Sequence, residues 1–155
     1  MNLVAYFSCG GNTFDFASKI AAASDGDLYK IKPLKPYTEE DLNWLDGGSR
    51  SSQEMKDLNY RPAIVKDNID IDKYDVIYLG FPIWWYIAPT IINTFLESYR
   101  FKNKKIVLFA TAGSSGFGDT KTYLENSVDP SNNIIEGVII YKTATDDDVE
   151  KVLTI

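Results

Sequence analysis

Leu3-Val4-Ala5-Tyr6-Phe7-Ser8-Cys9-Gly10-Gly11-Asn12-Thr13 opens the chain with five consecutive apolar residues, followed by hydroxyl, thiol and amide side chains around two glycines. A short, unbroken apolar run suits a strand buried on both faces of a parallel sheet better than one with a wet side. From Asn12 the period changes. Phe16, Ile20 and Ala23 recur at spacings of four and three, which predicts a helix over Asn12–Ala23 with Asn12 or Thr13 as N-cap. The turn between strand and helix therefore sits at a helix N-terminus, and the rest of the chain repeats this alternation.

Further strands are expected at Leu28–Ile31, Val76–Phe81, Lys105–Ala110 and Gly137–Tyr141. Helices are expected at Thr90–Tyr99, with Pro89 fitting just inside its start, at Thr120–Ser127 and at Asp146–Leu153, whose three leading aspartates suit the positive end of a helix dipole. Alternation of this kind predicts βαβ units, and hence an α/β fold with a right-handed parallel sheet covered on both faces. The polar stretch 33–62 interrupts it, with Pro33, Pro36 and Pro62 and a central Gly47-Gly48-Ser49. Helical pieces are expected there at Thr38–Leu42 and Ser51–Leu58.

The chain has 155 residues, 45% of them apolar and 25% charged, which fits one globular domain over 1–155. It contains no histidine, so Ser-His-Asp triads, Cys-His pairs and His-ligated metal sites are excluded. One cysteine, Cys9, excludes an internal disulfide and a C-x-x-C pair, and no metal site is expected. A net charge of −6 opposes binding to nucleic acid. The N-terminus lacks a basic segment and no apolar run approaches a membrane span, so a cytoplasmic protein without membrane attachment is expected.

Three turns carry the chemistry. Ser8, Cys9, Gly10, Gly11, Asn12 and Thr13 place backbone N–H groups and hydroxyls around one point at a helix N-terminus, a neutral cradle for an anion. No lysine of a triphosphate loop and no G-x-G-x-x-G fingerprint is present. A plain Gly-rich turn without a ligand is the alternative. The second turn, Pro82-Ile83-Trp84-Trp85-Tyr86 with Pro89, forms a rigid aromatic shelf on which a flat ligand can stack, unless these rings merely cover the core edge. The third, Thr111-Ala112-Gly113-Ser114-Ser115-Gly116, lets backbone groups approach a ligand edge closely. It is not a nucleophile elbow, since Ser115 lacks the following x-G spacing and no base is available. In a doubly wound sheet these turns open into one crevice at the switch point. Together they describe a site for a phosphorylated planar ring system.

These residues resemble the flavodoxin-like flavoproteins over nearly the whole chain, and within them the short, flavodoxin-related group described as NAD(P)H-dependent. The resemblance rests on Ser8–Thr13, on Gly80–Tyr86 with Pro89, on Thr111–Gly116, and on Asn43-Trp44, Ser49-Arg50-Ser51 and Arg61-Pro62. It implies a three-layer sandwich with a five-stranded parallel sheet in the order 2-1-3-4-5, and FMN as cofactor. Ser8–Thr13 would then hold the phosphate, Pro82–Tyr86 the ring, and Thr111–Gly116 its polar edge. No side chain is needed for catalysis, because the flavin carries the electrons. Electrons would pass between NAD(P)H or a redox protein and a quinone-like or protein acceptor. A non-enzymatic domain that keeps this fold without cofactor turnover is the competing reading. Gly10 departs from the hydroxylated pattern common in flavodoxins and removes one phosphate donor, a loss of about 0.5–1.5 kcal/mol.

Two further expectations concern the cofactor's surroundings. The 33–62 excursion forms either a wall over the flavin that supplies Arg50 to a substrate, or a solvated helical hairpin or homodimer contact. Cys9 is expected as a small buried side chain filling the turn rather than as a redox thiol.

Overall fold

Each apolar run forms a strand in the computed structural model, which describes residues 1–155. The strands are β1 (Asn2–Tyr6), β2 (Asp27–Lys30), β3 (Val76–Pro82), β4 (Lys105–Thr111) and β5 (Asn133–Ile140). All pair in parallel, in the order β2-β1-β3-β4-β5. The last strand is longer than its apolar half suggests, because polar Asn133 and Glu136 continue along the sheet's edge.

The strands connect through α1 (Asn12–Ser24), α2 (Arg50–Lys56), α3 (Thr90–Ser98), α4 (Thr120–Glu125) and α5 (Asp146–Leu153). Alternate residues of the central strands face opposite ways. Val4, Tyr6, Tyr78, Val107 and Phe109 pack with Phe16 and Ile20 of α1 and Val149 and Val152 of α5. Leu3, Phe7, Ile77, Leu79 and Leu108 pack on the other face with Ile91, Ile92 and Phe95 of α3 and Leu124 of α4. Both faces are dry, which is why these strands read as continuous apolar runs. Phe109 lies over Gly80, where a side chain would overlap its ring, and meets Phe16 edge-on with centroids 5.1 Å apart.

Helix starts differ from expectation in detail. Gly11, with φ 89°, is the N-cap of α1 in place of Asn12 or Thr13. Pro89 is the cap residue of α3 rather than its first helical residue, and its carbonyl accepts the Ile92 N–H. The Asp146-Asp147-Asp148 triplet does begin α5, where Thr145 and Asp148 form a capping box.

The excursion contains one helix, not two. Thr38 and Asp41 exchange a reciprocal pair of side-chain to backbone hydrogen bonds, the signature of a helix start. The chain then proceeds through turns up to Ser49 instead of propagating. Asn43, Asp46, Gly47 and Gly48 favour turns over helix, and Asn43 and Asp46 side chains accept backbone N–H groups two residues on. The order 2-1-3 reverses the winding direction at β1, so the turns after β1, β3 and β4 emerge side by side at one edge.

Candidate functional site

The first turn is built by Ser8. Its Oγ accepts the Gly11 N–H at 3.2 Å and the Phe14 N–H at 3.3 Å, closing the loop into α1. The N–H groups of Cys9, Gly10, Asn12 and Thr13 have no protein acceptor. A side chain added at Gly10 or Gly11 would meet nothing within 4 Å. Thr13, almost fully buried, shares a 2.8 Å hydrogen bond with Thr111, which ties the first turn to the third.

The second turn is a two-residue hairpin. Trp84 and Ile87 exchange both backbone hydrogen bonds, at 2.9 and 3.2 Å, while Trp85 and Tyr86 take φ of 47° and 70°. Two positive φ values define the mirror-image hairpin turn that Asn-Gly normally supplies. Bulky residues there cost of order 1–2 kcal/mol each. The aromatic shelf divides accordingly. Trp84 packs edge-on against Phe7 and Tyr37, with centroids at 5.7 and 5.5 Å, whereas Trp85 and Tyr86 are exposed.

A buried threonine joins the second turn to the third. Thr120 Oγ1 accepts the Ala88 N–H at 3.1 Å and donates to the Phe117 carbonyl at 2.5 Å. Gly118, with φ 55°, lies against the Tyr86 carbonyl so closely that a Cβ would overlap it. The N–H groups of Gly113, Ser114, Ser115 and Gly116 donate to no protein atom.

The three turns enclose a crevice of about 560 Å³, a usual size for a small-molecule site. Cys9, Gly10, Asn12 and Thr13 line it from the first turn, Pro82 to Tyr86 from the second, and Thr111, Gly113, Ser114 and Ser115 from the third. Ser8, Gly11, Ala112 and Gly116 do not line it: Ser8 shapes the loop, Gly11 and Gly116 are exposed, and the Ala112 N–H is bonded to Ile140. Leu42, Trp44 and Ser51 of the excursion complete the wall. No charged side chain lines the crevice.

Arg50 faces away from it. Its Nε donates to Glu54 at 2.9 Å, its Nη1 donates to the Lys35 carbonyl at 2.7 Å, and its guanidinium stacks over Tyr37 at 3.8 Å. Glu54, itself buried, also accepts the Tyr37 hydroxyl, whose pKa is raised well beyond the usual tyrosine range by burial and this carboxylate. Of the two readings of the excursion, this placement speaks against a substrate contact from Arg50, which is committed to the interior of the excursion.

Cys9 is also corrected, because it is exposed at the crevice rather than buried in the turn. The crevice walls still reduce its solvation, which pushes the thiol up to about 11 against the pull of Arg50 and Lys30. The thiolate is the reactive form. Alkylation by iodoacetamide, followed by mass spectrometry, should be slow at pH 7 and rise with a midpoint near 11. A midpoint near 8.5, the value of a free thiol, would contradict this environment.

A family model for flavodoxin matches residues 1–154. The chain belongs to the flavodoxin family. Among solved structures, this flavodoxin-family protein is similar to a candidate flavoprotein from Bacteroides eggerthii DSM 20697, at 45% identity and TM-score 0.87, covering 99% of this chain and 93% of that one. It is also similar to a flavoprotein from Lactobacillus acidophilus NCFM solved in complex with FMN, at 25% identity and TM-score 0.71, covering 98% and 97%. The flavodoxin-like domain-containing protein BilS of Clostridioides difficile strain CD3 is 33% identical over 91 residues, 57% of this chain. The match spans 51% of BilS, about half its length.

The crevice of this flavodoxin-family protein fits FMN in kind. Unpartnered N–H groups surround open space at Gly10, exposed aromatic rings stand beside it, and unpartnered backbone donors lie along the third turn. No helix is long and apolar enough to cross a membrane. Sequence reasoning missed Thr120, Leu42 and Ser51. Thr120 is one threonine at the start of a short helix, and nothing in its sequence context marks it as the bolt between two loops.

Proposed function

We propose that this protein binds FMN in the crevice and works as an electron-transfer protein, exchanging electrons with another redox protein at the exposed rim. Bound FMN would supply the ring that accepts and releases electrons. Cys9, Gly10, Asn12 and Thr13 would hold its phosphate with backbone N–H groups and the α1 dipole. The ring would lie against Trp85 and Tyr86, which exclude water from it, and Gly113–Ser115 would meet its polar edge through the backbone.

The observation carrying this reading is the absence of any charged side chain in the crevice lining. Neutral donors at a helix N-terminus suffice for one terminal phosphate. The pyrophosphate of a nicotinamide donor would find no cation there, since Arg50 is held by Glu54 and the Lys35 carbonyl. At the rim, Trp44, Leu45, Trp85 and Tyr86 are exposed, and Glu39, Glu40, Asp41 and Asp46 flank the first two with no Lys or Arg between residues 36 and 49. An apolar patch with acidic neighbours suits a cationic partner.

The FMN-loaded chain should keep its oxidised absorbance for minutes with NADH or NADPH alone. After chemical reduction it should pass electrons to a small cationic haem protein at a rate that falls with ionic strength. Rapid, saturable bleaching by either nicotinamide would contradict this reading and make the protein a reductase.

A further inference from the structure

Three serines near the start of α2 are buried, and two of them are satisfied locally. Ser49 Oγ donates to Ser52 Oγ at 2.9 Å and caps the helix by accepting the Ser52 N–H, while Ser52 Oγ donates to the Asp46 carbonyl at 2.8 Å. Ser51 differs. It is 2% exposed, its hydroxyl has no hydrogen-bond partner, and the residue lines the crevice.

A buried hydroxyl without a partner is destabilising, and a helical serine usually relieves this by bonding the carbonyl four residues back. Ser51 is the second residue of α2, so Gly47, four residues back, precedes the Ser49 N-cap and offers no helical carbonyl; it accepts instead from Gln53 Nε2 at 2.8 Å and Lys56 Nζ at 3.1 Å. The Ser51 hydroxyl is thus left over in an otherwise fully used cluster.

The position of α2 is set by its neighbours. Arg50 stacks on Tyr37, whose ring packs against Phe7 at the end of β1 and against Trp84. This anchors the first turn of α2 where the first two loops meet, on the side of Cys9 and Gly10. The reach of the Arg50 and Glu54 charges to the Cys9 thiol agrees with that placement.

We propose that Ser51 is a ligand-binding residue outside the three turns, donating its hydroxyl to the FMN phosphate. The inference rests on the FMN reading above. It gives the excursion a direct part in binding: the cradle gains a hydroxyl donor from α2, which Gly10 in the same crevice lining does not supply. A bond to a phosphate oxygen is charge-assisted and stronger than one to a ribityl hydroxyl.

The test compares the flavin-free full chain with its Ser51→Ala variant, titrating each with FMN and with riboflavin, which lacks the phosphate. Ser51→Ala should raise the FMN dissociation constant about tenfold or more, change the riboflavin constant by less than about twofold, and leave the thermal midpoint of the flavin-free chain unchanged or higher. Unaltered FMN affinity would overturn the inference. Equal losses for both flavins would also overturn it, by placing the hydroxyl on the ribityl chain or ring. A lowered midpoint without flavin would make Ser51 a structural residue instead. Failure of the unsubstituted chain to bind FMN would remove the FMN reading itself, and this inference with it.

Discussion

Gly10→Asp should raise the FMN dissociation constant by at least about 100-fold while leaving the fold intact. A side chain at Gly10 meets no atom within 4 Å, so the protein accommodates it without repacking. The carboxylate would instead stand in the open space where the phosphate is proposed to sit. Two unit charges about 6 Å apart at an effective dielectric constant near 20 repel by about 2.8 kcal/mol, and no cation in the crevice lining offsets this. Gly10→Asn has nearly the same size without the charge and isolates the steric part, so it should lose much less affinity. Fluorescence titration gives both constants, and circular dichroism with a thermal midpoint checks the fold. Equal behaviour of the two variants would show that the anion binds elsewhere.

Arg50→Ala should destabilise the protein by about 3 kcal/mol, through the interior of the excursion rather than through any substrate. Its side chain is 18% exposed and that of Glu54 6%, so the pair is largely withdrawn from water. Removing the guanidinium leaves the Glu54 carboxylate buried with the Tyr37 hydroxyl and no cation. At about 2–4 °C per kcal/mol for a chain of this size, the thermal midpoint should fall by roughly 6–12 °C. Adding Glu54→Gln removes the stranded charge and should recover part of the loss, a coupling that a double-mutant cycle measures. An Arg50→Ala variant of unaltered stability but altered reduction kinetics would return Arg50 to the reaction.

The contrast between these two residues shows what a sequence can disclose here. The place of Gly10 in a crevice turn was legible because it depends on nearest neighbours along the chain: a strand end, a turn and a helix start within a dozen residues. The sheet was legible for a related reason, since strands buried on both faces have little choice but continuous apolar composition, as in Val76–Phe81 and Lys105–Ala110. The surroundings of Arg50 were not legible because its partners arise from tertiary structure. The i, i+4 relation to Glu54 is visible in the sequence, but the Lys35 carbonyl and the Tyr37 ring that draw it inward are not.

Other departures have similar causes. The Thr38–Asp41 capping pair formed as its pattern suggests, yet Asn43, Asp46 and the two following glycines prevented a helix from growing beyond it. A mirror-image hairpin turn is usually announced by Asn or Gly, so Trp85 and Tyr86 gave no sign of their positive φ values. The solvent access of Cys9 depends on loops far away in the chain. Ser51 is the extreme case: its interest lies in a bond it fails to make, standing in the first turn of α2 with no helical carbonyl four residues before it.

Calorimetric titration of the flavin-free chain with FMN tests the central claim most directly. One site per chain should saturate, and riboflavin should bind far more weakly under the same conditions, because the neutral cradle after β1 acts on the phosphate. Absence of heat with FMN, or equal affinity for the two flavins, would contradict the account.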